Sequence, residues 1–145
     1  MRGKKLVWMS VGVMLFATTV LAQDQPKPVI KHVPATSTSA SSGSEMFKTY
    51  CAACHGQAGK GDGPAAAALK VPPTDLTQLA KNNGGKFPGM QVVSTIRGDA
   101  ALPAHGSKEM PVWGQVFWTM SHGHESEVQQ RTANLTKYIE GLQAK

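Results

Sequence analysis

Large side chains are scarce in this chain. Its 145 residues include four phenylalanines, three tryptophans and two tyrosines, against 15 glycines and nine prolines. Hydrophobic residues still make up 41% of the sequence, which is ordinary for a globular protein. A core built only from side chains would be thin for this length, so we expect another group to help fill it.

Strand patterns and long basic runs are also missing. No segment alternates apolar and polar residues over the length of a strand, so we predict an all-α fold. The net charge is +6, but the lysines are scattered. Without a basic run, nucleic acid is a poor candidate for a partner. The length indicates one domain.

The N-terminus has the pattern of a secretory signal. Arg2, Lys4 and Lys5 precede an apolar run at residues 6–20, and small residues, Val20 and Ala22, stand at the −3 and −1 positions of a cleavage site. We predict cleavage after Ala22 and export to the periplasm. Removing the three cations lowers the net charge from +6 to +3. The alternative is an uncleaved membrane anchor, although residues 6–22 are at the short limit of a spanning helix.

The rest of the chain divides into a linker and a helical domain. Residues 23–43 are rich in proline, serine and threonine, which predicts a flexible linker. The domain is expected to cover residues 44–145. Ser42 and Glu45 have capping-box spacing, so a first helix should begin near Ser44. A helical stripe predicts a last helix over residues 125–143, with short helical pieces between the two.

The two cysteines of the chain are followed directly by a histidine, in the order Cys51-Ala-Ala-Cys54-His55. Residues three positions apart share a helix face, so both thiols can bond to one group. Together with a histidine that can reach iron, this spacing is the attachment signature of c-type haem. We predict one covalently bound haem, with His55 as an iron ligand. The haem would also supply the missing core.

Three other interpretations compete for these residues. A thioredoxin-like redox pair would be expected beside a parallel sheet, which the pattern does not show. A structural disulfide is possible in an exported chain, but it leaves His55 without a role. A zinc site needs four ligands, so His122 and His124 would have to complete it.

A soft thioether is a suitable second ligand for iron that changes its oxidation state. Met46, Met90 and Met120 lie in helical segments, so we expect them to pack in the core. Met110 lies in an irregular segment before Pro111 and is the preferred ligand. The rival ligands are His105, His122 and His124.

Several segments resemble the class I c-type cytochromes, the small monohaem proteins of bacterial respiratory chains. The resemblance covers residues 45–141 through the sequences MFKTYCAACHG, GKGDGPAAAAL, MPVWG and LTKYIEGL. It implies that Phe47, four residues before the first cysteine, packs on the patch at residues 135–139. The tail before Glu45 is a departure from the minimal domain of that family.

The resemblance also assigns three further residues to the site. It implies that the carbonyl of Pro64 accepts a hydrogen bond from the second ring nitrogen of His55, with Pro72 and Pro73 as substitutes. It makes Met110 the distal iron ligand. It places Trp113 beside the haem edge, or else in the core.

The function implied by the resemblance is electron transfer, not catalysis. Iron with both axial positions filled has no place for a substrate. Redox partners would dock transiently at the exposed haem edge. Two other functions stay open: a gas-binding or peroxide-reducing haem domain with a labile sixth ligand, and a tethered subunit that feeds electrons into an oxidase or dehydrogenase.

Overall fold

The computed structural model of the chain describes residues 35–99 and 110–144. All regular structure in these two ranges is helical, which confirms the predicted all-α fold. No helix in them is both long and apolar enough to cross a bilayer. The predicted signal segment, most of the predicted linker and His105 lie outside the described residues.

The helices are short except for the last. The first helix consists of α1, a π-helical turn and α2, which follow one another directly. The elements in chain order are α1 (Gly43–Met46), the π turn (Phe47–Cys51), α2 (Ala52–His55), two 3₁₀ turns (Ala66–Ala68 and Leu76–Gln78), α3 (Leu79–Asn82), α4 (Gly89–Arg97), α5 (Trp113–Met120) and α6 (Glu125–Gly141).

The capping residues explain where the first helix begins and ends. The Ser42 hydroxyl accepts a hydrogen bond from the Glu45 amide at 3.2 Å, as the predicted capping box requires. The Glu45 carboxylate accepts from the amide of Ser39 at 3.3 Å. The helix ends at Gly56, whose φ of 77° favours a residue without a side chain.

The first helix crosses α6 at very short range. Gly43 is buried at this crossing, and a side chain there would meet the backbone of Asn134. The Phe47 ring is fully buried and lies 5.2 Å from the Tyr138 ring, centroid to centroid. Leu135 and Ile139 of α6 are buried in the same core. The predicted packing of Phe47 on residues 135–139 is therefore confirmed.

The packed domain begins earlier than predicted. Thr38 is only 7% exposed, and its carbonyl accepts a hydrogen bond from the Arg131 guanidinium at 2.9 Å. The Ala40 carbonyl accepts from the Asn134 amide group at 2.9 Å. The prediction of a flexible linker is therefore wrong for residues 38–43. Their composition is that of a linker, but α6 supplies hydrogen-bond donors that composition does not reveal.

The methionines divide differently from the prediction. Met46 is fully buried and Met120 packs against the core, as expected. Met90 is 84% exposed, so its prediction as a packing residue is wrong. The buried side chains of α4 are Val92 and Ile96, which are four residues apart and share a face. Met90 lies outside that face.

The close crossing predicts a large difference between two glycine substitutions. In Gly43→Ala, the new Cβ would overlap the Asn134 carbonyl and lie 2.9 Å from the Tyr138 Cβ. We expect the free energy of unfolding to fall by about 1–3 kcal/mol, because the helices must separate to admit the methyl group. Denaturant unfolding measures this loss.

Gly141→Ala is the matched control, because the added Cβ has nothing within 4 Å. It should leave stability unchanged or slightly higher, since alanine is the better helix former. Equal stabilities for the two variants would contradict the close crossing.

Candidate cofactor site

Most of the predicted site residues line one cavity of about 340 Å³. Its lining is mostly apolar and includes side chains from the first helix, α4 and α6. Five of the six residues that the sequence proposed as cofactor ligands or neighbours lie around it: Cys51, Cys54, His55, Met110 and Trp113. Pro64 does not line it.

Helical spacing turns both cysteines toward the cavity. Cys51 ends the π turn and Cys54 lies in α2, and neither forms a disulfide. Burial, followed by the neighbouring Cys54, raises the pKa of the Cys51 thiol to about 12. The Cys51 thiol is therefore protonated at neutral pH. Two reduced thiols on one wall can each form a bond to a group in the cavity, as the sequence predicted.

His55 ends α2 with one ring nitrogen hydrogen-bonded to the backbone. Its Nδ1 lies 3.0 Å from the carbonyl oxygen of Thr74. A carbonyl only accepts, so Nδ1 carries the proton and donates it. Burial lowers the pKa of the imidazole, against a smaller rise caused by the Thr74 hydrogen bond. The neutral ring therefore keeps a lone pair on Nε2, which is the atom that can bind a metal.

The prediction that Pro64 accepts this hydrogen bond is wrong. The segment around Pro64 is bound to the backbone of α2: Gly63 donates to the Cys54 carbonyl at 3.0 Å, and Ala65 donates to the Ala53 carbonyl at 2.9 Å. The acceptor, Thr74, comes directly after the two substitute candidates, Pro72 and Pro73. A main-chain carbonyl has no side-chain signature, so the sequence could suggest the segment but not the residue.

Two loops cross each other to present the Thr74 carbonyl. The Leu76 amide donates to the Gly59 carbonyl at 2.7 Å. Asp75 caps the following turn, since its Oδ1 accepts from the amide of Thr77 at 2.9 Å and from the Thr77 hydroxyl at 2.6 Å. Gly61 has a φ of 81°, and a side chain there would overlap the Pro73 carbonyl. These contacts hold the backbone at Thr74 beside the His55 ring.

Met110 and Trp113 lie on a short segment before and at the start of α5. Met110 is partly buried and lines the cavity. Trp113 also lines it and stacks on Tyr50, with ring centroids 5.0 Å apart and planes at 30°. Trp113 therefore borders the cavity and also packs on the core, and its place beside a haem edge stays a prediction. Tyr50 was missed by sequence reasoning, although its place directly before Cys51 was a signal.

The structure does not bring His122 or His124 to the cysteines. His122 and His124 are exposed and do not line the cavity. Within residues 35–99 and 110–144, no three histidine, cysteine, aspartate or glutamate side chains form a group that could hold a metal ion. A four-ligand zinc site therefore has no support in these ranges.

The donors around the cavity fit a haem. Two thiols three residues apart share one wall, and the adjacent imidazole has a free Nε2. A thioether lines the same cavity, and the remaining lining is mostly apolar, as a porphyrin requires. The chemistry of this donor set suits iron better than a harder ion, which would prefer oxygen ligands.

One comparison with known proteins finds a match. Residues 38–97 match the family model described as cytochrome c oxidase, cbb3-type, subunit III. The matched range begins at Thr38, the first buried residue in the described part of the chain, and includes both cysteines, His55 and Thr74. It ends before Met110. No curated protein and no solved structure matches the chain.

The Asp75 cap predicts a test of the loop that supports His55. Asp75→Ala should lower the free energy of unfolding by about 1 kcal/mol, since it removes the acceptor of the Thr77 amide. It should also speed solvent exchange of the His55 Nδ1 proton, which NMR detects. Asp75→Asn keeps an acceptor and should behave like the wild type. Unchanged proton exchange in Asp75→Ala would show that the cap does not hold Thr74 in place.

Proposed function

We propose that the domain matched at residues 38–97 is a c-type cytochrome that carries single electrons between proteins through one covalently attached haem. The haem would be bonded to the sulfur atoms of Cys51 and Cys54, with His55 and Met110 as the axial iron ligands. The observation that carries the proposal is that all four side chains line the same cavity.

The bound haem would supply an iron centre that gains and loses one electron. The residues of the chain would hold it and set its surroundings. His55 Nε2 is oriented by the Nδ1 hydrogen bond to Thr74, which also makes the ring a stronger donor. The Met110 thioether would favour the reduced state, which suits a carrier of relatively high potential. The apolar lining would keep water from the iron.

This ligand set supports a carrier and not an enzyme. A substrate needs an open position on the iron, and a histidine with a methionine would fill both axial positions. The partners would then be other redox proteins, which would bind transiently near the opening of the cavity.

We propose two alternative locations for the domain: free in the periplasm after export, or anchored to the membrane. The basic and apolar pattern of residues 1–22 supports cleavage and a free periplasmic carrier. The matched family is described as an oxidase subunit, which supports a second candidate function. In that case the domain would pass electrons into a membrane oxidase, and residues 6–22 would remain as its anchor.

The mass of the denatured native protein tests attachment and processing together. We expect the mass of residues 23–145 plus one haem, because thioether bonds survive unfolding. Cys51→Ala and Cys54→Ala should each lower the yield of holoprotein, since the haem also fills the core. Haem that separates from the chain in acidic organic solvent would contradict attachment. A full-length chain in the membrane fraction would favour the tethered subunit.

Met110→Ala tests the proposed distal ligand. The wild-type oxidised protein should show a weak sulfur-to-iron charge-transfer band in the far red. The variant should lose that band, have a lower reduction potential and bind carbon monoxide when reduced, because water and gases gain an open iron position. Absorption spectroscopy and potentiometry measure all three changes.

Two other methionines serve as controls for this experiment. Met90→Leu changes an exposed side chain and Met120→Leu changes one that packs on the core, so both should keep the band. If instead the wild-type protein binds carbon monoxide readily and lacks the far-red band, Met110 is not a ligand. The gas-binding or peroxide-reducing function would then replace electron transfer.

A further inference from the structure

The segment before the first helix is hydrogen-bonded to the rest of the domain, and the proposed electron transfer does not explain these contacts. Residues 36–40, here called the strap, precede the helix that carries Cys51 and His55. Thr38 is buried between two exposed neighbours, Ser37 and Ser39. A segment with the composition of a linker therefore has one side chain directed into the domain.

The strap is fixed to one face of α6. Arg131 donates through its Nη1 to the carbonyl of Thr38 at 2.9 Å and to the Thr38 hydroxyl at 3.3 Å. Three residues later on the same face, Asn134 donates to the Ala40 carbonyl at 2.9 Å. Arg131 is 4% exposed, and its charge is balanced by Glu127, whose carboxylate lies 2.7 Å from Nη2. Burying a cation costs free energy unless its N–H groups are hydrogen-bonded, so Arg131 can remain buried only while these contacts form.

The strap also binds the hydroxyl of Tyr50. That hydroxyl lies 2.6 Å from the Thr36 carbonyl and 2.8 Å from the Thr38 hydroxyl. Because a carbonyl only accepts, Tyr50 donates to Thr36, and its oxygen accepts from Thr38. The chain of donors then runs in one direction, from Arg131 through Thr38 and Tyr50 to Thr36. Each hydroxyl in it both donates and accepts.

Tyr50 extends this network to the segment that carries Met110. Its ring stacks on Trp113 at 5.0 Å, and both rings line the cavity together with Met110. Trp113 is the first residue of α5, and only Pro111 and Val112 separate it from Met110. The position of the Tyr50 ring therefore limits where the start of α5 can lie.

We propose that the strap is a positioning device: through the hydrogen bonds from Arg131 to Thr38 and Tyr50, and the stack of Tyr50 on Trp113, it holds the Met110 segment against the cavity. Thr38 and Tyr50 are positioning residues, since neither is proposed to bind iron. The expected effect on the iron depends on the proposed role of Met110 as a ligand. The expected effect on the position of the Met110 segment does not depend on that role.

The test uses the purified holoprotein and two substitutions that remove one hydroxyl each. Tyr50→Phe keeps the ring that stacks on Trp113, and Thr38→Val keeps the volume of the side chain. Thr38→Val removes the hydrogen bonds of the Thr38 hydroxyl with Arg131 and Tyr50. Tyr50→Phe removes those of the Tyr50 hydroxyl with Thr36 and Thr38, and its contact with the Met120 sulfur at 3.3 Å. We expect the hydrogen-bonded amides of α5 to exchange with solvent about fivefold faster, the factor that corresponds to about 1 kcal/mol in a local opening equilibrium.

Tyr138→Phe is the matched control. Tyr138 is the other tyrosine of the chain, and it packs on Phe47 away from the cavity lining. This variant should exchange like the wild type at α5. If Thr38→Val and Tyr50→Phe also leave α5 exchange unchanged, the proposal is overturned. It is equally overturned if Tyr50→Phe alone speeds exchange, because Tyr50 would then act without the strap.

Carbon monoxide binding separates this proposal from the proposed function. In reduced Thr38→Val and Tyr50→Phe, the rate of carbon monoxide binding should rise by about the same fivefold factor, since the gas competes with Met110 for the iron. If the wild-type protein lacks the far-red band, Met110 is not an iron ligand, and the exchange of the α5 amides still tests the positioning role of the strap. If the wild-type protein shows the band but the variants behave like it, only the positioning role of the strap is contradicted.

Discussion

The close crossing of the first helix and α6 is the constraint on which the other contacts depend. Gly43 allows the two backbones to meet at Asn134, and Phe47 is then buried on α6 one turn later. Burial of such a ring contributes about 1.5–3 kcal/mol. Leu135 and Ile139 belong to this contact and also line the cavity. One apolar face of α6 therefore serves both the crossing and the cofactor site, so the helix bearing Cys51 cannot move away from α6 without opening the cavity.

Of the aromatic side chains in the described part of the chain, Tyr50 and Trp113 line the cavity. Tyr50, Trp113 and Phe117 contact one another, with centroid distances of 5.0–6.1 Å. The connecting loops are held mainly by backbone hydrogen bonds, such as the one from Gly61 to the His55 carbonyl at 2.8 Å. Gly61 and Gly63 also pass close to other backbone, at Pro73 and at Ala53 and Cys54.

Features that depend on neighbouring residues were predictable from the sequence, and those that depend on distant partners were not. The helix face shared by Cys51 and Cys54 and the helix end at Gly56 follow from local spacing and backbone preference. The Thr74 acceptor lies 19 residues from His55 and is a carbonyl that any residue could supply.

The packing of the strap depends on Arg131, which is 93 residues from Thr38. Such long-range hydrogen bonds leave no periodic signal in a single sequence. The exposed position of Met90 has a related cause, because a short helical pattern does not show how wide its buried face is. The start of the packed domain and the burial of Met90 were therefore misplaced, while the all-α pattern was confirmed.

The two proposed axial ligands are held by different kinds of structure. His55 is part of a helix and has a backbone hydrogen bond at its ring, so its position is set mainly within residues 51–76. Met110 precedes α5 in an irregular segment, and tertiary packing holds that segment from two sides. On one side Trp113 stacks on Tyr50. On the other, side chains at Gly98 and Gly114 would overlap Val112 and the Arg97 carbonyl, so α4 and the start of α5 lie in close contact.

Local opening of a protein is easiest where order depends on a few tertiary contacts and not on helix hydrogen bonds. The Met110 segment depends on such tertiary contacts, whereas His55 lies in a helix with its own backbone hydrogen bonds. Under the proposed ligation, changes in distant packing should therefore reach the iron mainly through Met110. The position of His55 would stay nearly constant, while the position of Met110 would respond to packing elsewhere in the domain.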